Sequence, residues 1–140
     1  RIALYSKIAR RSIIKTRAEI EKLKIGYKDE DLRLYRNKII RSDQEHEKQH
    51  TLSLDFYNLS TFRDLLFHTQ EHQFTINQIN QSLLELGLKF CGFDNKKAIQ
   101  AFKLENKTVN EEYDLSKWDE FEKLNQNTFL GMYQFWCQKT

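Results

Sequence analysis

Residues 75–93 read TINQINQSLLELGLKFCGF, and this stretch decides the fold class. Thr75 and Gln78 stand three apart, the spacing of a capping box in which each side chain satisfies the other's backbone N–H. Ile76, Ile79, Leu83 and Leu86 then recur at i, i+3, i+7 and i+10, one face of a helix. Gly87 is the residue suited to stop it. Leu88 to Phe93 follows as a short, mostly apolar strand. Helix, glycine, strand is the repeating grammar of α/β proteins.

Working outward, Ile2-Ala3-Leu4-Tyr5 reads as another buried strand, and Ser6 as the cap of a helix carrying Ala9, Ile13, Ile20 and Leu23, with Gly26 as its stop. A second helix opens on Asp29, Glu30 and Asp31, acids that suit a helix N-terminus, and shows Leu32, Tyr35 and Ile39 on one face. Residues 42–53 are polar and read as a linker or exposed loop. Leu59 to Phe67 is a short helix with Asn58 or Ser60 at its start. Residues 95–104 and 114–125 are amphipathic helices. The second carries Leu115, Trp118, Phe121 and Leu124, with Ser116 and Asp119 as its capping pair. Residues 128–139 close as a strand, with Tyr133, Phe135 and Cys137 alternating against Met132, Gln134, Trp136 and Gln138. Three strands so far apart make a poor sheet alone, so they are read as one side of a larger α/β sheet. The chain opens on Arg1, without an initiator methionine, straight into an apolar run. It is expected to be a piece of a longer protein, cut inside a strand.

Composition narrows the class. The 140 residues are one domain's worth, 39% hydrophobic and 31% charged, which is globular. No apolar run approaches the roughly 18 residues of a membrane span, and Arg1 to Tyr5 meets charge too soon to serve as a secretory leader. Proline is absent where average usage predicts about seven, which points to a helix-rich chain or to a genome biased toward Lys, Asn and Ile codons. Two cysteines exclude a disulfide scaffold and fit a reducing cytoplasm, the expected compartment. Both lie on strand patterns and are expected in the core. Residues 1–50 hold 14 Lys and Arg against 8 Asp and Glu; the remainder holds 9 against 12. The basic run Arg1, Lys7, Arg10, Arg11, Lys15 and Arg17 suggests either nucleic-acid binding or the wet face of an amphipathic helix. The second is the preferred reading. No glycine-rich dinucleotide loop, phosphate loop or nucleophile elbow is present.

All four histidines fall in i, i+4 pairs. His46-Glu47-Lys48-Gln49-His50 matches the H-E-x-x-H zinc pattern, and His68-Thr69-Gln70-Glu71-His72 its inverted form. On a helix either pair could hold zinc, with the Glu placed to activate water. Neither is taken as a metal site. Ser42, Asp43, Gln44 and Glu45 mark the first as solvated. The helix start at Thr75 makes the second a turn. No metal is expected.

Several stretches together resemble a known family. These are Leu4-Tyr5-Ser6 with Ala9-Arg10-Arg11; Asp55 to Ser60 running on through Arg63-Asp64-Leu65-Leu66-Phe67-His68-Thr69-Gln70-Glu71-His72 to Thr75; Leu86 to Phe90 with Gly92-Phe93; Asp114-Leu115 with Trp118 and Phe121; and Thr128 to Trp136 with Gln138-Lys139. The chain resembles, over all but residues 42–53 and 105–113, the C-terminal part of bacterial class I S-adenosylmethionine-dependent methyltransferases, often fused to tetratricopeptide repeats. Asn77 departs from a common proline and Phe62 from a common cysteine. The resemblance implies the C-terminal portion of a Rossmann-like sheet, strands five to seven, with a large helical insertion. Residues 1–5 would be strand five and 6–74 the substrate-binding insertion. Residues 75–140 would be the closing helix–strand units, the last strand antiparallel. S-adenosylmethionine would be bound by the half upstream, so residues 1–140 alone are expected neither to bind it nor to turn over. His68, His72 and Glu71 are the expected catalytic cluster, with structural hydrogen bonding as the alternative. Tyr5, Ser6, Arg10, Arg11 and Arg63 are the expected substrate contacts, although Arg63 suits equally a pair with an acid such as Asp64 or Glu71. The partner would be an unknown methyl acceptor, small molecule or protein, with neither membrane nor nucleic acid expected. A non-catalytic helical interaction module is the alternative function.

Overall fold

The computed structural model describes residues 1–67 and 70–140. In chain order the elements are β1 (Ile2–Ser6), α1 (Arg11–Lys22), α2 (Asp29–Ile40), α3 (Glu45–Lys48), α4 (Leu59–Phe67), β2 (Gln73–Phe74), α5 (Ile76–Glu85), β3 (Leu88–Phe93), α6 (Lys96–Glu105), α7 (Leu115–Leu124) and β4 (Tyr133–Lys139), with short 3-10 turns between. The fold is α/β, with seven α-helices and an open, mixed four-stranded sheet among the described residues. The chain divides into a sheet unit, Arg1–Arg10 with His72–Thr140, and a helical unit, Arg11–Glu71.

In the sheet unit the strand order is β2-β1-β4-β3. β1 and β2 are parallel, with Tyr5 opposite Gln73 and Ser6 opposite Phe74. The chain's last strand, β4, inserts between β1 and β3 and runs antiparallel to both. Leu4 faces Tyr133, Ile2 faces Phe135, and Leu88 faces Lys139. β2, for which the sequence reading had no strand, follows the 68–72 segment; two backbone pairs and the bond from Lys7 N–H to Phe74 C=O (2.9 Å) hold it. Tyr133 and Phe135 point into the core while Trp136 is half exposed, as the alternation implies.

The core of this unit is aromatic. Trp118 is fully buried, stacks on Phe102 at 4.1 Å and meets Phe93 edge-on at 4.8 Å. Its indole N–H donates to the Glu112 carbonyl at 2.9 Å. The capping box of α5 forms as the spacing implies: Thr75 N–H donates to Gln78 Oε1 at 2.9 Å, and Gln78 N–H to Thr75 Oγ1 at 3.2 Å. Gly87 follows with φ +62°, a conformation that costs other residues a Cβ clash. For α7 the cap is Asp114, which accepts from Ser116 N–H at 2.8 Å, rather than the Ser116–Asp119 pair; Asp119 bonds Lys123 instead, at 2.5 Å. Cys91 is exposed rather than in the core, and Cys137 is half-buried and packs against the core cluster. A bulge between Phe90 and Gly92 lets Phe90 and Phe93 both face inward and turns Cys91 out.

In the helical unit, Leu32, Tyr35 and Ile39 of α2 pack with Ile20 of α1 and with Phe56, Phe62, Leu66 and Phe67. Asn58 caps α4 by accepting from Ser60 N–H at 2.9 Å. Gly26 is not the left-handed stop of α1; Lys24 takes that conformation, φ +52°. Gly26 instead makes room, since a Cβ there would meet Asp31 Oδ2 at 2.3 Å. Asp31 uses that oxygen to accept from Lys28 N–H at 3.3 Å, tying down the start of α2.

Removing the stacked indole leaves a large void that the surrounding rings cannot fill. Trp118→Ala is expected to cost about 3–5 kcal/mol and Trp118→Phe clearly less, as measured by urea unfolding.

Candidate functional site

At the C-terminal end of β1 lies a buried carboxylate with two hydroxyl donors. Glu122 is fully buried on α7. It accepts from Ser6 Oγ at 2.5 Å and from Tyr133 Oη at 2.6 Å. Ser6 also accepts from Ala9 N–H at 3.0 Å, closing the turn over residues 7–10; α1 begins only at Arg11, so Ser6 is not the cap of that helix as expected. Burial pushes Glu122 above the usual carboxylate range; the two hydroxyls pull against that shift and Asp119 adds to it. Burial first, then the bond to Glu122, raises Tyr133, so its phenol remains a neutral donor. One residue back, Tyr5 stacks under Arg10, whose guanidinium carbon is 4.0 Å from the ring centroid. Arg10 is itself buried. The expected substrate contacts Tyr5, Ser6 and Arg10 are thus brought together, and each has a partner within the sheet unit.

Arg11 is placed differently. With Ser12 and Lys15 on α1 and Gln44, Glu45, His46 and Gln49 opposite, it lines an open cleft of about 560 Å³ in the helical unit. Ser12 Oγ donates to Gln49 Oε1 at 2.5 Å and links the walls. The first turn of α1 carries no acid, so Arg11, Lys15 and the helix's positive end favour an anionic group there.

Behind His46 is a polar cluster in a segment expected to be solvated. Residues 42–53 instead fold as α3 and a 3-10 turn over Gln49–Leu52. Glu47 and His50 are buried, while of the residues that suggested solvation Asp43, Gln44 and Glu45 are exposed and Ser42 is half-buried. His46 Nε2 lies 3.1 Å from the Glu19 carboxylate. His50 Nε2 pairs with Thr16 Oγ1 at 2.7 Å. Burial, helped by His46, pushes His50 down to about 4, so it is neutral at pH 7. Lys38 Nζ is 3.3 Å from Glu47 Oε1. Burial alone would raise Glu47; the Ser42 hydroxyl and the Lys38 ammonium outweigh it and hold the carboxyl below its usual range.

The remaining expected residues are scattered. Arg63 is an exposed ion-pair partner of Asp29 at 2.6 Å; the pairing is structural, but with an acid of α2 rather than Asp64 or Glu71. Glu71 accepts from Arg17 at 3.1 Å, and Arg17 also donates to the Leu65 carbonyl at 2.7 Å. His72 is exposed, in the segment leading into β2. His68 lies outside the described residues.

No family model matches the chain, and no curated protein matches it. Among the described residues no helix is long and apolar enough to cross a membrane.

Sequence reading missed Glu122, although it left a trace: Glu122 stands four residues after Trp118 and seven after Leu115, on the apolar stripe of α7. The native state holds its proton above the unfolded value of 4.5. Stability from this group is therefore present at acid pH and lost as pH rises through that window. Glu122→Gln removes the titration. Its Tm relative to wild type is expected to rise as the pH is raised above the unfolded value of 4.5, read by thermal melts across buffers.

Proposed function

We propose that this chain is the acceptor-side portion of a class I S-adenosylmethionine-dependent methyltransferase and that the acceptor carries an anionic group. The observation that carries the reading is the sheet. Its last strand runs antiparallel between two strands of the other sense and follows the helix–strand unit 75–93, as the sequence resemblance implies. In open α/β sheets ligands gather at the C-terminal ends of the parallel strands. Here that end of β1 carries Tyr5 and Ser6.

Residues 1–140 do not fit the methyl donor itself. The turn from β1 into α1 has no glycine. Asp31 fills the space beside Gly26, Gly87 closes α5, Gly92 sits at the strand bulge, and Gly131 stands alone just before β4. On this reading the donor is held by residues upstream, and this chain anchors and orients the acceptor. Arg11 and Lys15 hold its anionic group in the cleft. His68 and His72 are the candidate bases, since a neutral imidazole takes a proton near pH 7 from a hydroxyl or amine. Glu71, engaged by Arg17, is a positioning residue.

Calorimetric titration with S-adenosylmethionine is the test. Residues 1–140 are expected not to bind it, and the same reading frame extended upstream of Arg1 is expected to bind. In the extended protein, Lys15→Ala should raise the acceptor KM about tenfold, some 1.4 kcal/mol, with kcat nearly unchanged. Absence of binding in both proteins would overturn the reading. The interaction module would then stand in its place, with Leu52 (85% exposed) and Leu54 (89%) of the helical unit as its first candidate contacts.

A further inference from the structure

We propose that Glu19, His46 and Glu47 bind a divalent transition-metal ion, with zinc as the working probe. The proposal rests on the helical unit alone and does not depend on the methyltransferase reading.

One ligand atom from each of the three residues lies within 4.8 Å of the other two. Two elements bring them together: α1 supplies Glu19, and α3 supplies His46 and Glu47. A zinc ion has ligand bonds of about 2.0–2.1 Å, so side-chain rotation need only draw the three atoms slightly inward.

A second observation points to the same place. Glu47 has a side chain only 1% exposed, and its Oε2 has no hydrogen-bond partner. The Lys38 ammonium bonds the other oxygen. The Tyr35 hydroxyl, also buried, is orphaned as well. Burial pushes that phenol up to about 12, and the charges of Glu47 and Glu19 push in the same direction, so it belongs to the same cluster. Folded proteins rarely leave such atoms unpaired. A cation between the carboxylates would give Oε2 its partner and neutralise charge that Lys38 only partly offsets.

The donor set selects the class of ion. An imidazole nitrogen with carboxylate oxygens suits zinc and its first-row neighbours, whereas magnesium and calcium favour oxygen alone. Three protein ligands leave a fourth position, the pattern of a reactive rather than a closed structural site. His46 also lines the open cleft, which supplies an entry path. The ligands are not the two histidines of the H-E-x-x-H pattern. His50 Nε2 is engaged by Thr16, and α3 gives way to a 3-10 turn after Lys48.

The test is zinc titration of the metal-stripped 140-residue chain by calorimetry, with a thermal melt at each end point. Wild type is expected to bind one equivalent and to melt higher with zinc. His46→Ala and Glu47→Gln should each weaken binding at least tenfold and abolish the shift, whereas His50→Gln should still bind. Glu19 is partly exposed, so Glu19→Gln supplies a variant whose folding is not in question, with the same loss expected. No uptake by wild type would overturn the proposal and leave a trapped water as the partner of the two orphaned atoms. Unchanged uptake by His46→Ala or Glu19→Gln would overturn it equally, since the ion would then lie elsewhere.

Discussion

The insertion of β4 between β1 and β3 is the constraint on which the sheet unit depends. Ile2 to Leu4 pair with residues about 130 positions away, and Leu88 to Phe93 with the same strand on its other side. Without β4, the two strands of like sense have no common neighbour. Its inward residues, Tyr133 and Phe135, also help complete the aromatic core around Phe93 and Trp118. Backbone pairing and core filling are thus done by the same seven residues. Closing so long a loop is entropically costly, and buried aromatic area on β4 and α7 offsets it.

Two buried carboxylates behave in opposite ways. Glu122 meets two hydroxyl donors at 2.5 and 2.6 Å, one from β1 and one from β4. It therefore joins the two strands at the end where α/β sheets place ligands, and reads as structural. Glu47 is equally buried but has one oxygen bonded and one orphaned, beside an orphaned phenol. A group desolvated without full compensation is costly, and such costs gather at functional positions. Burial alone does not separate the two cases; the count of partners does.

The legible parts of the fold were those whose signals are local. The Thr75–Gln78 box, the stripe Leu32, Tyr35 and Ile39, the Asn58 cap, and the alternation at Tyr133 and Phe135 all lie within a few residues of one another in the chain. Misreadings came where distant residues decide. Gly26 is a local exception: Lys24 takes the left-handed stop, and Gly26 leaves room for Asp31 at the start of α2. Cys91 looked like core until the bulge set its direction. Residues 42–53 looked solvated because they are nearly all polar, and only the packing of α3 and the following turn on α1 buries Glu47 and His50. Among the site residues, Arg11 lines an open cleft of the helical unit, and Arg10, Arg63 and Glu71 have partners elsewhere in the chain.

By itself the sequence determined the α/β class and the middle of each apolar helix face, because capping, periodicity and alternation act over one or two turns; the terminal face residues Leu23, Leu86 and Leu124 are exposed. Tertiary structure alone decided the strand order β2-β1-β4-β3, the strand pairing at Gln73–Phe74 and the surroundings of each buried charge. Those depend on which backbone edges and which side chains from distant segments meet, and the free energy of a buried carboxylate is set by the partners it finds rather than by its neighbours in the chain.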